Sequence, residues 1–243
     1  MKGLLYKEWC LGKKNCGLFL ALSLVFCLLG ILVFLSMICG NLQSWPSKEP
    51  ESVKVFAMTF TYVPYILMLF TATSVNQSIF TDYESGWMKY SYTLPHKAIK
   101  VIGAKYVYVG ITFVIAFIFG LVNAGVICFM SKETFSSDTL KNMVVIMVFA
   151  VVEMAVVIPL AILFKQGRTL STIGAVFFMA VYIISGYILV ELEEKYPGKV
   201  EKILPNLFVD VRDILTKFSI LIIVLVIIVS IYAACKIYQR REK

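Results

Sequence analysis

The chain holds a single histidine, His96, so a histidine-built metal centre or a Ser-His-Asp triad is close to excluded. Its six cysteines show no metal-ligand spacing and lie mostly in or beside apolar stretches. Free buried thiols are the expected state, with Cys39 and Cys128 the one pair that could meet as a disulfide near an outer face. None of the 14 glycines falls in a G-x-x-x-x-G-K-[ST] pattern, so no P-loop is present. H-E-x-x-H, G-x-S-x-G, paired membrane aspartates, a voltage-sensor run and a pore signature are all missing. Charge is scarce as well: 16% of residues are Asp, Glu, Lys or Arg, against about a quarter in an ordinary soluble domain. A soluble enzyme is therefore excluded, and any enzyme reading rests on one acid, Glu153.

What the chain has is apolar length. Hydrophobic residues make up 60% of its 243 positions, and the mean hydropathy is +0.85. Six runs of about 20 residues read as transmembrane helices, at residues 17–39, 54–76, 106–128, 142–164, 169–190 and 214–235. Little remains for a soluble domain, so residues 1–243 form one all-α membrane domain. The net charge of +8 is unevenly placed. Lysines and arginines crowd the N-terminal segment, the stretch after the second run, the 165–168 turn and the C-terminal tail, where acids are few. That is the positive-inside bias, with both termini cytoplasmic. The basic excess serves topology and anionic headgroups rather than nucleic acid.

Residues 1–16 read as an amphipathic helix lying in the inner interface, with Leu4, Leu5, Trp9 and Leu11 toward lipid and the lysines toward water. The second run carries Pro64, which removes one helical hydrogen bond, and then passes through Asn76 and Gln77 into a cytoplasmic segment. There Phe80, Tyr83, Trp87 and Tyr90 are spaced three, four and three apart, one stripe of a helix. Asp82 and Glu84 sit in its first turn, where carboxylates favour the positive end of the dipole. Leu94-Pro95 ends it, because a residue before proline is pushed out of the helical region. Two readings stand: a handle for another protein, or an interfacial helix with its aromatics among headgroups.

Glu153 lies near the midpoint of the fourth run, where a carboxylate costs about 2.5–3.5 kcal/mol on insertion scales. It either lines a substrate or proton path or is a neutral acid bonded to a neighbour such as Asn123 or Tyr182. Pro159 follows at a kink position. Residues 191–213 read as a surface loop with a half-buried turn, or as a short helix capping an outer mouth.

At the Phe80 segment the chain resembles the ABC-2 type transporter permeases, in particular the six-span bacterial group that includes phenol-soluble modulin exporter permeases. The likeness rests on Met1-Lys2-Gly3-Leu4-Leu5-x-Lys7-Glu8, on Phe80-x-x-Tyr83-Glu84-x-x-Trp87-x-x-Tyr90 with Thr93-Leu94-Pro95 and Lys105-Tyr106, on Ile158-Pro159-Leu160 with Gly167-Arg168, and on Lys236-Ile237-Tyr238. It implies a coupling helix at residues 80–95, with Asp82, Tyr83, Glu84, Trp87 and Tyr90 contacting a separate ABC ATPase subunit. ATP and Mg would be bound on that partner, with no cofactor and no catalysis on this chain. It also implies two ATPase copies, a second or sister permease, and a bacterial plasma membrane. The implied activity is export of amphipathic, membrane-active peptides; alternatives are peptide-antibiotic immunity and drug efflux, or, outside transport, a sensor, a scaffold or a Glu153-dependent enzyme. Where relatives often carry an arginine after Leu-Pro, this chain has Lys97-Ala98.

Overall fold

A computed structural model describes residues 2–38, 50–93, 98–131, 136–164 and 200–242. The described residues form helices α1 (Lys2–Ile38), α2 (Pro50–Leu69), a 3₁₀ turn (Phe70–Thr73), α3 (Ser74–Glu84), α4 (Trp87–Thr93), α5 (Ala98–Ser131), α6 (Ser137–Phe164) and α7 (Val200–Glu242), with no strand among them. Among the described residues five stretches are long and apolar enough to cross a membrane: Lys2–Ser36, Ala57–Glu84, Ala98–Met130, Ser137–Phe164 and Val209–Arg240. Of the six expected spans, the one at residues 169–190 lies outside the described residues, as do Cys39, Tyr182, Leu94-Pro95 and the 165–168 turn.

Two expectations are corrected here. The N-terminal segment is not a separate interfacial helix; it continues into the first span as one helix of 37 residues. At 1.5 Å per residue that is about 55 Å, well beyond a hydrocarbon core of about 30 Å, so its first turns project past the bilayer. Leu4 and Leu5 pack against the protein core instead of lipid. The segment expected as a loop is helical from Val200 and continuous with the span that begins near residue 209.

α1, α2 and α5 pack on one another, α6 and α7 lie along each other, and α5 and α3 join the two groups. The core runs the length of this seam: Tyr65, Met68, Ala72 and Val75 from the second span, Ile102, Val109 and Phe113 from α5, and Met143, Met154 and Ile158 from α6. α1 and α7 bury the least of their apolar length. Leu28, Leu32, Ile220 and Leu225 point outward, as lipid-facing side chains do. The second span and α6 meet α5 at Gly120, over which the Tyr65 ring and the Met143 methyl are packed. The Tyr65 hydroxyl donates to the Met143 carbonyl at 3.0 Å.

Both span prolines sit inside unbroken helices, Pro64 in α2 and Pro159 in α6. Each lacks an N–H, which strands the carbonyl four residues earlier. In both cases a neighbouring helix supplies the missing donor. Asn123 Nδ2 on α5 reaches the Phe60 carbonyl at 2.8 Å, and the Ser230 hydroxyl on α7 donates to the Ala155 carbonyl. In a medium without water these side chains satisfy groups that would otherwise stay bare. α6 starts on an ordinary N-cap, Ser136 Oγ accepting from the Thr139 N–H at 3.2 Å, with Asp138 in the first turn.

Candidate functional site

The segment below the second span is two helices rather than one. α3 ends at Glu84, and Gly86 takes φ +71°, a left-handed conformation that L side chains resist. Ser85 N–H bonds to the Thr81 carbonyl at 2.9 Å and Gly86 N–H to the Tyr83 carbonyl at 3.2 Å, closing α3 with a glycine C-terminal cap. α4 then restarts on the Gly86 carbonyl, which accepts from the Tyr90 N–H at 3.1 Å. The single aromatic stripe expected over residues 80–95 is therefore broken at its centre by this turn. Trp87 and Tyr90 still meet, their ring centroids 5.6 Å apart.

The turn is held from within by ionic contacts. Lys105 on α5 is fully buried, and Glu8 on α1 and Asp82 on α3 are each 2% exposed. Lys105 Nζ donates to Glu8 Oε1 at 2.9 Å, Asp82 Oδ2 at 2.8 Å and Ser78 Oγ at 3.1 Å, which uses all three of its protons. The Ser78 hydroxyl donates in turn to Glu8. Lys7 closes the other side of Asp82, at 2.7 Å from Oδ1 and 2.8 Å from Oδ2, and stands 3.3 Å from Glu8 Oε1. Its ammonium lies 4.9 Å from the centroid of the Trp87 ring, a cation–π position. Two cations face two anions, so the cluster is neutral as a whole. Neutrality and full hydrogen bonding are what let such groups leave water.

Two further bonds tie the turn to the rest of the bundle. The Tyr83 hydroxyl donates to the Ile162 carbonyl at 2.8 Å. That carbonyl belongs to the last turn of α6, where the intrahelical ladder runs out of partners. On α4, Ser91 Oγ and the Tyr238 hydroxyl of α7 share a 2.7 Å hydrogen bond, both residues being buried. Met88 is buried beside them.

Of the five residues expected at a partner contact, Asp82 is corrected: its carboxylate is taken up by Lys7 and Lys105 and faces inward. Tyr83 is half-buried and engaged with α6. Trp87 is half-buried under Lys7, while Glu84 and Tyr90 are exposed. Asn123 is a helix-packing residue, bonded across to α2, and so is not the partner of Glu153. Glu153 lines a cavity of about 190 Å³ walled by the second span, the 3₁₀ turn, α5 and α6. Sequence reasoning missed the ionic role of Lys7, Glu8, Ser78 and Lys105, having turned Lys7 toward water. The available signal was positional: Lys7-Glu8, Asp82 and Lys105 all stand at the margins of the first three apolar runs.

A family model for ABC-2 family transporter proteins matches residues 3–239, nearly the whole chain. No curated protein matches it. A bundle of long apolar helices suits that description, and the match spans the helices described above save their outermost terminal residues. The chain belongs to the ABC-2 family of transporter membrane proteins.

Proposed function

We propose that this chain is the permease subunit of an ABC exporter and receives its driving force through the α3–α4 turn. Permeases of this family work with an ABC ATPase partner. The observation that carries the reading is the bonding pattern of the turn. Asp82 ties it to α1 and α5, Tyr83 to α6 and Ser91 to α7, while Glu84 and Tyr90 remain exposed. A displacement applied at the exposed side is passed to four long helices at once. In a working transporter the ATPase would seat against Glu84, Trp87 and Tyr90, and Asp82 and Tyr83 would carry the load inward. Two ATPases and two permease copies would then tilt the bundles to open a path outward.

The cargo we assign is an amphipathic, membrane-active peptide entering laterally from the inner leaflet, on the strength of the family group this chain resembles. The test is co-purification with a cognate ABC ATPase and measurement of peptide-stimulated ATP hydrolysis in liposomes. Tyr90→Ala and Glu84→Lys should weaken the complex or uncouple hydrolysis from export, with membrane insertion unchanged; Trp87→Ala should do the same and loosen Lys7 as well. Undiminished assembly and export in all three variants would overturn the assignment of the contact.

A further inference from the structure

The cavity at Glu153 is unlike the rest of the seam. Its described walls are largely apolar, with Phe70, Phe113 and Phe149 contributing rings beside Leu69 and Met154, and Glu153 is the one ionisable residue among the described lining residues. Among the described residues no hydrogen bond or ion pair engages the Glu153 carboxylate. Thr73, the other polar residue among the described lining, already donates its hydroxyl proton to the Phe70 carbonyl at 2.6 Å. Phe70 is 43% exposed and Phe149 58% exposed, so both rings stand at a mouth open to the outside of the bundle.

Size and donor chemistry narrow the occupant. A cavity of about 190 Å³ exceeds the roughly 150 Å³ that holds benzene, but falls short of the roughly 300 Å³ at which drug-sized pockets begin. It takes a group the size of one side chain. The described lining residues offer too few oxygen ligands for a bare metal cation, since hard cations want about six. A hydrophobic group that ends in an ammonium meets every condition. The rings accept its apolar body and attract its charge through their faces, and the carboxylate provides the counter-ion.

The geometry points to the Glu153 cavity as a recognition subsite for a hydrophobic ammonium group, from either a basic side chain of an amphipathic peptide or a free hydrophobic amine. This deepens the permease reading by naming the chemistry the path selects. Binding of phenethylammonium to the full chain in phosphatidylcholine nanodiscs, read by calorimetry against empty discs, tests it. Phenethyl alcohol serves as the uncharged control of nearly the same shape. The wild type should prefer the ammonium about tenfold or more, the range of one charge-assisted hydrogen bond. Glu153→Gln should abolish that preference, and Ala150→Leu, which fills the cavity and keeps the acid, should abolish binding of both probes. Equal binding of the two probes by the wild type, or an undiminished preference in both variants, overturns the proposal. Should Glu153→Gln lose its helical circular dichroism, Ala150→Leu alone decides. Displacement of the probe by a single-lysine amphipathic peptide, but not by its norleucine counterpart, would identify a peptide side chain as the source. No displacement would identify a free amine. The measurement needs no ATPase, so a failed co-purification would sink the subunit assignment and leave this result standing.

Discussion

Replacing Lys105 by methionine tests the ionic cluster at its most buried member. The side chain is 0% exposed and gives one hydrogen bond each to Glu8, Asp82 and Ser78. Methionine fills much of the same volume, so the change isolates charge and hydrogen bonding from packing. After it, two buried carboxylates share one cation, Lys7, which is itself 22% exposed. Lys7 already makes its close contacts with Asp82 and stands farther, at 3.3 Å, from Glu8. Glu8 is thus the group left uncompensated. Removing one partner of a buried ion pair costs about 3–5 kcal/mol, because the remaining charge has lost both water and counter-ion. The expected result is a loss of that size in equilibrium unfolding of the purified chain in mixed micelles. Adding Glu8→Gln should recover part of it, since Asp82 keeps Lys7 and the cluster returns to neutrality; the coupling energy should be about 1–3 kcal/mol. A loss below about 1 kcal/mol for Lys105→Met, or strict additivity of the two changes, would refute the claim that these charges stabilise one another across three helices.

Two further predictions concern the helix contacts. Asn123→Ala should destabilise the chain by about 1–3 kcal/mol by stranding the Phe60 carbonyl, and Pro64→Ala in that background should restore much of the loss by returning a backbone N–H; an equal loss in both backgrounds would disprove the pairing. At Gly120 an added Cβ would lie 2.6 Å from the Met143 methyl and 3.0 Å from a Tyr65 ring carbon. Gly120→Ala should therefore cost about 1–3 kcal/mol, read in the same unfolding assay, and Gly125→Ala, where nothing lies within 4 Å, serves as the neutral control.

Apolar run length made four spans legible in the sequence, because a helix that must satisfy its own backbone in lipid is specified by composition. The run at residues 214–235 falls inside α7, but composition does not reveal the extension of that helix back to Val200. Polar residues and prolines there resemble a loop, and helical continuation depends on what the segment rests upon. α1 was divided for the same reason: Gly12, Lys13, Lys14 and Gly17 look like a boundary, yet propensity is weak where packing holds the chain. The Gly86 turn was in plain view as Ser85-Gly86, and the regular spacing of the aromatics outweighed it. Prolines 64 and 159 were seen as kinks. Their donors, Asn123 and Ser230, lie on other helices, and no local pattern joins them. The ionic cluster was hidden for that reason too, since Glu8 and Lys105 are 97 positions apart.

The donors that cover the two proline-stranded carbonyls both arrive after the spans they serve. Phe60 waits for Asn123, 63 positions on, and Ala155 waits for Ser230, 75 positions on. Each proline-bearing span therefore takes a donor for its proline-exposed carbonyl from a helix made after it. The nascent bundle lacks the Ser230 donor until α7 enters the membrane, so a ribosome stalled before Ser230 would leave a product that quality-control proteases can tell from one in which this bond is made.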